Sequence, residues 1–164
     1  MKVLEVLTTL RECAVEQINI PVCRIFTNPG PDAPHDSCEK HANGSDGQMW
    51  VAHMGSTAGW PSQTGEPVNC ATAWREYYEI GITRCAAKIG DNQQAPKAEA
   101  ITADAIQQED DRLALRRALI CCLTVEGRDL IIEDWTAIPP QGGCVGGVWT
   151  FYIRDAGCDC DTGS

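Results

Sequence analysis

No apolar run in the chain approaches the roughly 20 residues that a helix needs to cross a bilayer. The first ten residues have some apolar character, but Glu5 interrupts them and Arg11-Glu12 follow without a small-residue cleavage site. No signal peptide is expected. Positive charge is scarce as well: 13 Lys and Arg stand against 23 Asp and Glu, a net charge of −10. That balance argues against a nucleic-acid grip, which needs a basic patch, though not against a surface past which DNA slides. The phosphate-cradling Gly-x-x-x-x-Gly-Lys-Ser/Thr, the dinucleotide Gly-x-Gly-x-x-Gly and the hydrolase Gly-x-Ser-x-Gly are all missing. These absences lead to the expectation of a soluble chain, made in a cytoplasm, that is no enzyme and carries no cofactor.

What is there is enough chain for one domain with a real core, 164 residues. Ten of them are cysteines: Cys13, Cys23, Cys38, Cys70, Cys85, Cys121, Cys122, Cys144, Cys158 and Cys160. They are scattered, and several stand at positions that read as core, where a thiol behaves as a small hydrophobe. In a reducing compartment most are expected as free thiols, with disulfides and a soft-metal site as alternatives.

Residues 3–18 read as a helix, because Val3, Leu7, Leu10, Ala14 and Ile18 recur at steps of three and four, flanked by Val6 and Cys13. A short strand is expected at 22–27, with Cys23 and Ile25 on one face. The Pro- and Gly-rich stretch 28–47 reads as a long loop. Within it His35, Asp36, Cys38 and His41 have a spacing that suggests zinc, but the second ligand pair of a zinc motif is missing, and no metal is expected. Strand signals follow at 48–54, with Trp50, Ala52 and Met54 on one face, and at 70–85, with Trp74, Tyr78, Ile80 and Ile82 on one side and Tyr77 and Thr83 on the other. The length of the second suggests a central strand.

Residues 103–125 form the strongest helix signal, with Thr102 as N-cap, Asp104 near the positive end of the dipole and Gly127 as the stop. Ile106, Leu113, Ala114, Ala118, Cys121 and Val125 read as its core face; Asp110, Asp111, Arg112 and Arg116 fall off it. Strands at 130–135 and 148–153 close the domain, the last with Trp149, Phe151 and Ile153 on one face. The order is α-β-β-β-α-β-β. It implies an α+β domain over 1–155, a mostly antiparallel sheet packed by two helices, followed by a mobile tail at 156–164.

Two places invite chemistry. Cys144 with His35 or His53 is the one candidate nucleophile pair. Glu109-Asp110-Asp111 is an acidic triplet whose members fan apart on a helix. A third place invites contact: Pro139, Pro140, Gly142, Gly143, Cys144, Gly146 and Gly147 read as a flexible loop feeding the last strand. Low charge and glycine suit it to close approach by another chain. On that reading, valine at Gly146 would spare the fold and impair assembly. The alternative is a plain hairpin connector.

Cys70-Ala-Thr-Ala-Trp-Arg-Glu-Tyr-Tyr-Glu-Ile-Gly-Ile-Thr-Arg-Cys85 resembles a strand of neck and tail-end proteins of long-tailed phages infecting actinobacteria, whose pattern is aromatic-x-Val/Ile-Glu-Ile/Val-Gly-x-x-Arg-Cys. The run Arg116 to Cys122 and the stretch Pro140-Gln-Gly-Gly-Cys-Val-Gly-Gly-Val-Trp-Thr150 resemble the rest of that pattern, which covers about residues 68–155. Among neck proteins the adaptor is helical, the stopper a small β-barrel and the tail terminator α+β. The element order fits the terminator. The resemblance therefore implies a homohexameric ring capping the tail in a virion assembled in the host cytoplasm. Its partners would be the major tail tube protein and the stopper or connector proteins, and genome DNA would pass through the lumen without specific binding. The family has no catalytic residues to carry over. A stopper is the nearest alternative, and a cysteine-stapled binding module is the alternative of another class.

Overall fold

The apolar stripe at the start of the chain folds as α1, Val3–Gln17, and buries Val6, Leu7, Leu10 and Ala14 as the spacing requires. The structure, a computed structural model, describes residues 3–28, 30, 40–58, 73–87, 94–124, 129–141 and 143–156. His35, Asp36, Cys38, Cys70, Val125, Gly127, Gly142 and the tail with Cys158 and Cys160 lie outside the described residues. After α1 come β1 (Arg24–Asn28), β2 (Gln48–Ala58), β3 (Ala73–Cys85), α2 (Ala98–Leu123), β4 (Asp129–Gln141) and β5 (Cys144–Ala156). This is the expected α-β-β-β-α-β-β order and an α+β fold.

In space the strands lie β1-β2-β3-β5-β4. β1 runs parallel to β2, and the other pairings are antiparallel. β3 is central, as its length suggested, and pairs with β5 from Ala73↔Ala156 to Cys85↔Cys144. Alternation along the strands then sorts the side chains. Met49, Val51, Tyr78, Ile80, Ile82, Trp149, Phe151 and Ile153 share one core with α1 and with Leu115, Ala118, Leu119 and Leu123 of α2. Both helices therefore cover the same face. The other face holds a second cluster, Trp50 and Ala52 with Phe26, Met54, Ile138 and Val148. No helix among the described residues is long and apolar enough to cross a membrane.

The rotation of α2 differs from the expectation. Its buried residues are Asp111, Ala114, Leu115, Ala118, Leu119 and Leu123. Ile106 and Leu113 are 59% and 41% exposed, and Cys121 is exposed too. The helix has apolar side chains on two faces, so periodicity alone admits either rotation. Asp111 decides. Arg84 donates to it from Nε at 2.9 Å and from Nη2 at 2.8 Å. Nη1 donates to the carbonyls of Asp46 at 2.7 Å and Pro21 at 3.3 Å. The side chains of Arg84 and Asp111 are only 3% and 2% exposed.

The start of α2 also lies earlier than expected. Lys97 is the N-cap residue and makes no side-chain cap, while Thr102 sits inside the helix with its hydroxyl donating to the Ala98 carbonyl at 2.9 Å. The Asp104 carboxylate accepts the Ala87 N–H at 2.7 Å and so holds the end of the β3 connection.

The cysteines overturn the free-thiol expectation in part. Cys13 and Cys122 form a disulfide, with Cα atoms 6.5 Å apart, that ties α1 to α2. Cys144 is disulfide-bonded as well. The physical reason is proximity: two helices packed side by side on one sheet face bring residues 109 positions apart in sequence to one joint.

Two outcomes follow. Asp111→Ala leaves the Arg84 charge buried without its partner, and urea unfolding should show a loss of about 3–5 kcal/mol; Arg84→Met with Asp111→Leu should recover most of it. Cys122→Ser should lower stability by about 2–5 kcal/mol in the same assay under oxidising conditions, and added dithiothreitol should then change little further at this joint.

Candidate interaction surface

The stretch expected as a long loop is a tight hairpin. β4 runs through Pro139 and Pro140 to Gln141, and β5 begins at Cys144. Gln141 pairs with Cys144 across the turn. Gly143 has φ of 82°, a conformation that such a short turn needs and glycine supplies without strain. Its carbonyl accepts the Ala86 N–H at 2.7 Å, which fastens the turn to the end of β3. Two prolines fit within β4 because it is an edge strand, and its register is irregular between Ile138 and Gln141.

The glycines beyond the turn serve the sheet. A Cβ at Gly146 would strike the backbone carbonyl of Ile82 on β3, and one at Gly147 would strike the indole of Trp135 on β4. Gly146 and Gly147 are buried, Cys144 is fully buried, Gly143 is half-buried, and Pro139 and Pro140 are exposed. Of the seven residues singled out by sequence Gly142 lies outside the described residues, and among the other six the two prolines present the most surface. The argument that glycine there awaits a partner's backbone fails for Gly146 and Gly147, since their close neighbours belong to the same chain.

The prolines line a shallow groove of about 430 Å³. Ile138, Pro139 and Pro140 form one wall, and Ile101, Ala105 and Gln108 of α2 form the other. Ile101 is 54% exposed. The groove is apolar for most of its lining, and its carboxylate, Asp104, already accepts a backbone N–H. It has the character of a protein contact rather than a pocket for an ionic ligand.

The chemical candidates fare differently. Cys144 stands opposite Cys85 in register while His53 stands opposite Tyr78. Those positions are roughly 23 Å apart along β3 at about 3.3 Å per residue. Cys144 is also in a disulfide, so its sulfur is no thiolate nucleophile and the pairing with His53 fails. His53 instead shares a hydrogen bond of 2.7 Å with Glu76 Oε2, the same oxygen to which the Ser56 hydroxyl donates. The carboxylate stands between serine and imidazole. A nucleophilic triad needs the imidazole in the middle, so the trio pins the ends of β2 and β3 together.

The acidic triplet fans apart as expected. Asp111 is buried against Arg84, while Glu109 faces outward and pairs with Arg112 at 2.6 Å. Hydrogen bonding by that guanidinium holds the Glu109 carboxyl below its ordinary value of 4.5. The surface that the sequence reading missed is the outer face of α2, where Ile106, Leu113 and Ile120 are exposed. Their seven-residue spacing is the available signal, but Ile106 and Leu113 read as core and Ile120 does not enter that reading.

No protein-family model matches the chain, and no curated protein matches it. The glycine positions carry their own test. Gly147→Val should collide with Trp135 and cost at least about 1–3 kcal/mol in urea unfolding, whereas Pro140→Ala, on an exposed edge, should stay within about 0.5 kcal/mol of the parent.

Proposed function

We propose that the chain is a structural subunit of a phage virion, a tail terminator that closes into a homohexameric ring on the tail tube and joins it to the head-to-tail connector. The carrying observation is the α-β-β-β-α-β-β order with both helices on one face of a five-stranded sheet, which agrees with the fold implied by the resemblance of the strand ending in Arg84-Cys85. A closed ring requires each subunit to offer two different patches. The two ends of this sheet differ in that way: β1 is a five-residue edge and β4 a thirteen-residue edge. On this reading the exposed Pro139 and Pro140 belong to the subunit or neck contact. A net charge of −10 suits a lumen through which DNA passes without sticking.

A second reading rests on a separate observation. The Cys13–Cys122 disulfide and the disulfide at Cys144 favour a cysteine-stapled binding module that acts outside a reducing cytoplasm. The two readings are compatible in redox terms, since a virion also leaves the cytoplasm.

Electron microscopy and native mass spectrometry of purified virion necks separate them. The terminator reading expects a six-membered ring of the 17.8 kDa chain at the head-proximal end of the tail. A single twelve-membered ring at the portal, or a place in the capsid shell, would overturn it. A chain absent from virions, secreted with all of its cysteines oxidised, would establish the binding module instead.

A further inference from the structure

The outer face of α2 has an order of its own. Ile106, Leu113 and Ile120 are 59%, 41% and 43% exposed. Steps of seven place them on one line along the helix, about 21 Å from first to last at about 1.5 Å per residue. Exposed apolar side chains scattered singly need no explanation, but three on one line at heptad spacing form a seam that a second helix can cover. Charges flank the stripe in two blocks. Glu109 and Asp110 lie on the N-terminal side of Leu113, and Arg116 and Arg117 lie on the C-terminal side, all four exposed.

This order is self-complementary in one orientation only. Set a second α2 antiparallel to the first, with a two-fold axis passing by Leu113. Leu113 then meets its own copy, and Ile106 meets Ile120 of the second copy. Asp110 faces Arg117 of the second copy along one side of the seam, and Glu109, which also pairs with Arg112 of its own chain, faces Arg116 along the other, with the same pairs repeated by symmetry. A parallel arrangement would instead set carboxylate on carboxylate and guanidinium on guanidinium. We propose that α2 is a docking surface for a second copy of this chain, through antiparallel, two-fold packing of α2 on α2 centred at Leu113. Such a contact is isologous and uses the helical layer. The ring reading uses the sheet edges and the hairpin, so the pairing stands or falls independently of it.

Cysteine crosslinking in a Cys121→Ser parent tests the orientation, the parent itself giving no dimer-sized band without reductant. Leu113→Cys should crosslink to itself. Ile106→Cys alone should not, and a mixture of Ile106→Cys with Ile120→Cys should. Self-crosslinking of Ile106→Cys would mean parallel packing and would overturn the proposal. Sedimentation equilibrium tests the charges: Asp110→Lys and Arg117→Glu should each weaken the dimer by about tenfold or more. The double variant should restore it, because the reversed charges again face each other. All of these positions are exposed, so the fold is preserved, and circular dichroism checks this. A chain that remains monomeric at about 100 μM, a dimer indifferent to Leu113→Asp, or a double variant as weak as the singles would each overturn the pairing.

Discussion

Arg84 carries a permanent positive charge into a place where its side chain is 3% exposed, and much of the architecture follows from the groups that must meet it there. Two of its nitrogens are satisfied by the Asp111 carboxylate on α2, and a third by the carbonyls of Pro21 and Asp46. Asp46 in turn accepts the Cys85 N–H through its carboxylate at 3.0 Å. One guanidinium therefore binds the end of the central strand, the long helix and the segment that links α1 to β2. Buried charge without a partner costs several kcal/mol, so these contacts are coupled: losing one strains the others.

That ion pair also sets the rotation of α2, and through it the character of the surface. Turning the helix to bury Ile106 and Leu113 would gain about 1.5–3 kcal/mol for each side chain. It would expose Leu115 and Leu119 at a similar cost and carry Asp111 away from Arg84. The apolar terms nearly cancel and the electrostatic term does not. The consequence is that Ile106, Leu113 and Ile120 are left facing outward, interleaved with an acidic and a basic pair. The exposed apolar face is thus a by-product of a core constraint. The indole of Trp149 reinforces the same rotation by donating to the Arg112 carbonyl at 2.9 Å.

The glycines of the sheet express a second constraint, the size of tryptophan. Trp50 lies over Gly81, its direct partner on β3, and Trp135 lies over Gly147 on β5, on the opposite face. A flat indole covering a strand glycine buries a large apolar area and shields backbone that lacks a side chain. Trp50 adds a hydrogen bond to Glu79 at 2.9 Å, which keeps its one polar atom satisfied at 1% exposure. The described glycines of this run therefore serve different ends: turn chemistry at Gly143, and close packing at Gly146 and Gly147.

Local periodicity was enough to determine the class and order of the elements, the buried stripe of α1, the split of Trp50 and Ala52 from Met49 and Val51, and the central place of β3. Those features depend on residues a few positions apart, whose spacing the backbone geometry converts directly into faces. Tertiary structure alone decided which of two apolar faces of α2 turns inward, that Cys13 meets Cys122, and that Pro139 to Gly147 is a hairpin whose glycines lie under Ile82 and Trp135. Each of these depends on a group far away in the chain: Asp111 needs Arg84, Cys13 needs a helix a hundred residues on, and Gly146 needs the neighbouring strand. A sequence states which groups are present; only the packed sheet brings such distant pairs within a few ångströms, where short-ranged hydrogen bonds and steric contacts can choose among alternatives that look equal along the chain.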